Sequence, residues 1–157
     1  MDREVVVVLD NVRSAHNVGS IFRTADGAGV HKIILGGYTP APIDRFGRPQ
    51  PEIAKTSLGA ATTMAWESVC DEVVSETLTG LRDDGFAIVA AEQHPHSTAL
   101  HNFVAPPKVC YLFGNEIDGD RPELLQLADT ILEIPLHGHK ESLNVAVTVG
   151  IVLYQSA

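Results

Sequence analysis

The chain holds only two cysteines in 157 residues, Cys70 and Cys110, far apart and in no CxxC. So little cysteine rules out a disulfide-stapled scaffold, and a reducing cytoplasm is the simpler setting. Neither HExxH nor paired CxxC occurs. The HxH pairs His94/His96 and His137/His139 therefore lack the context that metal sites use, and no metal is expected. Long apolar runs are missing too. The run VVVVL, Val5 to Leu9, is too short to cross a bilayer, and no other segment approaches the required length. The start, MDREVVVV, lacks the basic stretch, long apolar core and small-residue cleavage site of a secretory signal, and reads as a strand. Basic residues are scarce: 11 Lys and Arg against 20 Asp and Glu give a net charge of −9. No linker, low-complexity run or internal repeat divides residues 1–157, which are enough for one domain with a sizeable core.

What is present is a regular alternation. The runs VVVVL, KIIL, AIVAA, VCYLF and TILEI are short, apolar and not alternating, as parallel strands covered on both faces should be. Strands are expected at 5–9, 32–35, 86–91, 109–113 and 130–134, and helices at 18–27, 71–84, 122–128 and 142–155. That order predicts an α/β fold, a mostly parallel sheet flanked by helices. Gly36 to Pro51 carries four prolines and three glycines, too broken for a simple connector and expected to be a functional or mobile loop.

The stretch IPLHGHKESLNVAVTVGIVLYQ, Ile134 to Gln155, is the most informative. A strand meets Pro135, passes through a loop freed by Gly138, and opens directly into a helix. Ser142 is a candidate N-cap. The helix is apolar nearly all round (Val145, Ala146, Val147, Val149, Ile151, Val152, Leu153), which suits the core or an interface. A polar loop pinned against such a helix is where a binding site would sit.

Two further segments bear on function: LDNVRSAHNVGSIFRTADGAGV, residues 9–30, and YLFGNEIDGDRPELL, residues 111–125. With the C-terminal stretch they resemble, in order and spacing, the three signature motifs of the SpoU (TrmH-like) RNA 2′-O-ribose methyltransferases of the SPOUT superfamily. The first reads Asn17-Val-Gly19, then Arg23 and Ala25. The second reads Phe113-Gly114-Asn115-Glu116, then Gly119. The third reads Ile134-Pro135-Leu136, Gly138 and Ser142-Leu143-Asn144. Departures are mild: many relatives have Met at position 136 and Ser at 146, where this chain has Leu136 and Ala146. No separate RNA-binding domain or basic tail is recognised, so tRNA and rRNA both stay open as targets.

The resemblance implies a C-terminal trefoil knot, a homodimer and S-adenosylmethionine as cofactor, with Gly114, Ile134, Leu136, Ser142 and Leu143 touching it. It also assigns activation of the ribose hydroxyl to Arg23, with Asn17, Glu116, Ser142 and Asn144 orienting Arg23 and the ribose. A guanidinium is protonated at neutral pH and accepts no hydrogen bond. Arg23 therefore acts as a base only if its proton affinity is strongly depressed; otherwise it grips the phosphate and stabilises alkoxide charge. Glu116 is expected to hold that guanidinium in a bidentate pair. Arg13, Arg23, Arg45, Arg48 and Lys55 form a local positive patch for RNA on an acidic body. RNA binding should be weak and salt-sensitive, calling for a folded substrate, a dimer or a helper protein.

Blander readings exist for each residue. Asn17 can be a helix cap, and Glu116 and Asp118 ordinary turn residues in NEIDGD. Cys110, inside an apolar strand, reads as a small hydrophobe. The rival functions are a catalytically silent RNA- or adenosyl-binding module on the same fold and a nucleotide-binding oxidoreductase. The second is weak, because Gly27-Ala-Gly29 lacks the third glycine of the dinucleotide fingerprint and follows a helix.

Overall fold

The computed structural model describes residues 3–156. Its strands are β1 (Glu4–Asp10), β2 (Lys32–Gly36), β3 (Trp66–Val69), β4 (Ala87–Ala91), β5 (Thr98–Ala99), β6 (Lys108–Phe113) and β7 (Thr130–Glu133). The helices are α1 (Ala15–Gly27), α2 (Pro51–Ser57), α3 (Ala60–Thr63), α4 (Val74–Asp83), α5 (Pro122–Leu125) and α6 (Val145–Gln155). All seven strands form one parallel sheet in the order β3-β2-β1-β6-β4-β7-β5.

The continuous apolar runs are explained by burial on both faces of this sheet. Val5, Val7 and Leu9 of β1 pack with Val109, Tyr111 and Phe113 of β6 beneath α1, α2, α3 and α6. The alternate residues Val6, Val8, Cys110 and Leu112 meet Val74 and Leu78 of α4 and Leu124 of α5 on the other side. Burial pushes the Cys110 thiol up to about 12, so it behaves as the small hydrophobe expected.

Register fixes where a site can form. Leu9 pairs with Phe113, Phe113 with Ala91, and Ala91 with Leu132. Four strands thus end at one level, and the loops leaving them share one edge of the sheet. In open parallel sheets that C-terminal edge is where ligands bind.

Several expectations need correction. Edge strands β3 and β5 were not anticipated: WESV is half exposed rather than apolar, and β5 is only two residues long. Helix α1 starts at Ala15, because the Ser14 side chain caps it by accepting from the Asn17 N–H; Asn17 is not the cap. The expected helix 71–84 opens as a 3-10 turn, Asp71–Val73, before α4. Helix 122–128 ends as a helix at Leu125. The last helix starts at Val145, with Asn144 as its N-cap in place of Ser142. The Asn144 Oδ1 reaches the N–H groups of Ala146 (2.8 Å) and Val147 (3.3 Å), which Ser142 lies too far back to serve. Within 36–51 the chain is a defined loop containing a tight hairpin, and α2 follows with Pro51 at its first turn.

Candidate active site

A cavity of about 350 Å³ opens at the shared strand edge. The turn after β6 supplies Gly114 to Ile117 and Gly119, and the loop after β7 supplies Ile134, Leu136 and Glu141 to Leu143. Val145, Thr148 and Val152 of α6 close one wall, and Glu92 and Gln93 after β4 close another. All five residues expected to touch a cofactor (Gly114, Ile134, Leu136, Ser142 and Leu143) line this space.

Local chemistry explains how these loops hold their shape. Asn115 is buried and uses its whole side chain. Its Oδ1 accepts from the N–H of Ile117 (2.8 Å) and Asp118 (2.9 Å), closing the turn. Its Nδ2 donates to the Asn11 carbonyl (2.8 Å) and to the Tyr38 hydroxyl (2.7 Å), tying the loops after β1 and β2 to the turn after β6. Gly114 is required for a different reason than ligand approach. A Cβ there would stand 2.5 Å from the Gly119 carbonyl carbon and 2.6 Å from the Asp120 nitrogen, so the turn folds back over the place of its missing side chain. The loop after β7 is the opposite case. From Leu136 to Leu143, among the described residues, no backbone N–H or C=O bonds another backbone group. The Glu141 carbonyl accepts from Gln93 Nε2 (2.8 Å), and the main-chain groups of Leu136, Ser142 and Leu143, which line the cavity, have no backbone partner.

At the mouth of the cavity three polar side chains converge. Glu116 accepts from the backbone N–H of Arg13 (3.0 Å) and of Ser14 (3.1 Å). Partial burial raises its proton affinity. Hydrogen bonds from the N–H groups of Arg13, Glu116 itself and Ser14, and from the Asn17 side chain, outweigh that and hold the carboxyl below its usual range. Asn144 Nδ2 donates to Asn17 Oδ1 (3.2 Å), joining the starts of α6 and α1. The two helices continue side by side: Gly150 faces Thr24, and the Tyr154 hydroxyl fills the space beside Gly27.

The structure therefore brings Asn17, Glu116 and Asn144 together at the cavity that Ser142 lines. No hydrogen bond or ion pair joins Arg23 to them, and it does not line the cavity. Arg23 is exposed on α1, four residues beyond Gly19, the position against which Thr56 and Ile53 of α2 pack. Among the described residues it makes no ion pair, and the expected Glu116–Arg23 pair is not formed; the carboxylate holds the loop before α1 instead. Of the remaining basic candidates, Arg13, Arg45, Arg48 and Lys55 are all exposed. His137 and His139 are exposed in the loop and do not line the cavity. Among the described residues no group of three metal-ligating side chains forms. Sequence reasoning overlooked Glu92, Gln93 and Thr148. The signal available for the first two was their place just past the end of a parallel strand.

Below the cavity lies an ionic layer. The Arg121 guanidinium holds buried Asp10 with Nε and Nη2 at 3.0 and 2.9 Å, and reaches Asp71 at 3.3 Å. Beside it, Asp120 is buried with neither carboxyl oxygen accepting a hydrogen bond among the described residues. Burial, then the charges of Glu92 and Asp10, push its carboxyl well above the usual range.

A parallel α/β sheet with a cavity at its C-terminal edge, walled by an unpaired backbone loop and the inner face of an apolar helix, defines a ligand-binding α/β protein. The chain belongs to the SpoU rRNA Methylase family, whose model matches residues 4–154. The 23S rRNA (guanosine-2'-O-)-methyltransferase RlmB of Neisseria meningitidis serogroup B is 32% identical over 152 residues, 97% of this chain and 57% of the relative. An AdoMet-bound rRNA methyltransferase from Sinorhizobium meliloti superposes with a TM-score of 0.87 at 30% identity, over 99% of this chain and 56% of that one. The TrmH/SpoU tRNA modifying enzyme of A. aeolicus gives 0.84 at 28%, over 99% and 74%. This chain spans a little under three fifths of the curated relative from Neisseria.

Proposed function

We propose that this chain is an S-adenosylmethionine-dependent methyltransferase domain acting on a ribose 2′-hydroxyl of structured RNA, either tRNA or rRNA. The observation that carries the reading is the cavity itself. The second and third family motifs line it, and its loop after β7 offers unpaired backbone groups between apolar side chains. Such a slot suits an adenine ring, which is read by main-chain donors and acceptors and sandwiched by Ile134, Leu136 and Leu143. The carboxylates of Glu92, Glu133 and Glu141 on its wall suit a cationic cofactor. When bound, S-adenosylmethionine supplies an activated methyl group on a sulfonium, and the protein's part is position and electrostatics.

Asn17, Glu116 and Asn144 form a rigid polar rim that orients the ribose, with Ser142 on the cavity wall. Arg23 is exposed, and a guanidinium carries only donors, so it is better suited to gripping a phosphate and steadying alkoxide charge than to removing a proton. The apolar side chains that α6 leaves outward, Val147 and Tyr154, support the homodimer reading. We carry the trefoil knot over from the family; the segment between β4 and β6 bonds the end of β7 and the loop beyond it, through Ser97 to Glu133 and Gln93 to Glu141. We place the domain in the cytoplasm; no helix among the described residues is long and apolar enough to cross a membrane. With a net charge of −9, a helper protein for RNA delivery fits the same picture.

The test is transfer of labelled methyl from S-adenosylmethionine into separated undermethylated tRNA and rRNA, with Arg23→Ala alongside. Label in one fraction as alkali-resistant nucleotide, lost in the variant, is the expected result. Cofactor binding without transfer to any RNA would favour the silent module.

A further inference from the structure

The loop between β2 and α2 holds a tight hairpin whose sequence is IDRFGRP, residues 43–49. Ile43 bridges Pro49 in antiparallel fashion, and the Asp44 N–H donates to the Arg48 carbonyl at 2.9 Å. Gly47 turns the chain with φ of 78°, where side chains are strained. Inside the turn the Asp44 carboxylate accepts from the N–H of Phe46 (2.8 Å) and of Arg48 (3.0 Å) and from Arg48 Nε (3.0 Å). The Arg48 N–H bond is the chief cause that holds this carboxyl below its usual range.

All this bonding presents one side chain. Phe46 is 66% exposed, and the guanidinium carbons of Arg45 and Arg48 lie 4.8 and 5.0 Å from its ring centre. A lone exposed aromatic is ordinary on a protein surface. Two cations stacked on it, on a body of net charge −9, are not accounted for by core packing. The loop that carries the hairpin is tied at its base to the turn after β6. Tyr38, at the base of the loop, accepts from Asn115 Nδ2 and donates its N–H to Asn11 Oδ1.

We propose that the Arg45–Phe46–Arg48 tip is a stacking platform for an unpaired nucleobase of the RNA substrate, with the two guanidiniums holding the flanking phosphates. This rests on the RNA reading above. Paired bases are closed to such a tip, because the A-form major groove is deep and narrow. A splayed base in a loop or bulge offers a π-face whatever its identity, so the contact selects structure rather than sequence. The platform gives an acidic domain a local means of holding RNA, and it selects a substrate that carries an unpaired nucleotide.

The experiment is fluorescence anisotropy of the whole chain with a labelled RNA stem-loop and a labelled blunt RNA duplex, at two salt concentrations. The variants are Phe46→Ala, Phe46→Trp and Arg45→Gln. Phe46→Ala should weaken stem-loop binding roughly ten- to a hundredfold with its salt dependence kept, and Phe46→Trp should retain it. Arg45→Gln should reduce the salt dependence. Duplex binding should be insensitive to Phe46. S-adenosylmethionine affinity serves as the folding control, since Phe46 lies outside the cavity. Wild-type stem-loop affinity in Phe46→Ala, or equal loss on stem-loop and duplex, overturns the platform while leaving methyl transfer by the wild type to stand for the function. A wild type that neither binds nor methylates any RNA overturns both.

Discussion

Replacing Glu116 by Gln separates two roles for this carboxylate. In the structure it holds the loop before α1 through the Arg13 and Ser14 N–H groups, at 3.0 and 3.1 Å, and does not hold Arg23. Hydrogen bonds to a charged acceptor contribute about 1.5–3 kcal/mol when buried. Glu116 is exposed, so solvent screening cuts each to about 0.5–1 kcal/mol. A glutamine keeps one acceptor and turns its amide toward the other N–H, so the loss is about 1 kcal/mol, or roughly 2–4 °C in Tm for a chain this size. The pH dependence has a definite sign. The folded carboxyl sits below its ordinary value of 4.5, so its contribution is present above that value and is lost as pH falls through the folded one. Thermal melts of wild type and Glu116→Gln should differ at pH 7 and converge only as pH falls below 4.5 and through the folded value. A double-mutant cycle with Arg23→Ala should give coupling below about 0.5 kcal/mol. Equal stability at pH 7 would refute the loop-holding role, and coupling well above that limit would restore the Glu116–Arg23 pair.

Gly114→Ala forces a Cβ against the Gly119–Asp120 backbone, which should cost about 1–3 kcal/mol and weaken S-adenosylmethionine binding at least tenfold, read by urea denaturation and calorimetry. Asn144→Ala removes the acceptor for the Ala146 and Val147 N–H groups and the bond to Asn17, a loss of about 1–2 kcal/mol in chemical melts. Asp120 has its carboxyl pushed up by burial and by the Glu92 and Asp10 charges, so the folded protein keeps a proton that the unfolded chain has released. Wild-type stability should therefore fall as pH rises from the ordinary value of 3.8 through the folded one, and Asp120→Asn should flatten that slope and be the more stable of the two above the folded value. Parallel pH–stability curves for the two proteins would contradict it.

What could be read from the sequence followed from burial. Strands covered on both faces leave continuous apolar runs, so β1, β2, β4, β6 and β7 were visible in the chain, while the half-exposed β3 and the two-residue β5 left no such trace. The loop after β7 was legible as a binding loop because glycine, proline and a following apolar helix mark a tight strand–loop–helix passage, while its cofactor contacts came from the family resemblance alone. The cap could not: SLN offers two competent side chains, and only the fold puts Asn144 beside the first free N–H groups and beside Asn17. Partner choice was equally hidden. A Glu and an Arg in two motifs suggest a pair, but Arg13 and Ser14 lie closer to Glu116 in the folded chain, and nothing local in NEIDGD reveals that. Asp120 is legible only in three dimensions, because its burial arises where the turn after β6 folds back onto Gly114.

The most direct test of the central claim is nucleoside analysis by mass spectrometry of undermethylated RNA incubated with this chain and S-adenosylmethionine. The account predicts one 2′-O-methylated ribonucleoside, dependent on an intact cavity and absent with Gly114→Ala. A methyl group on a base, or unmodified RNA despite saturating cofactor binding, would contradict it.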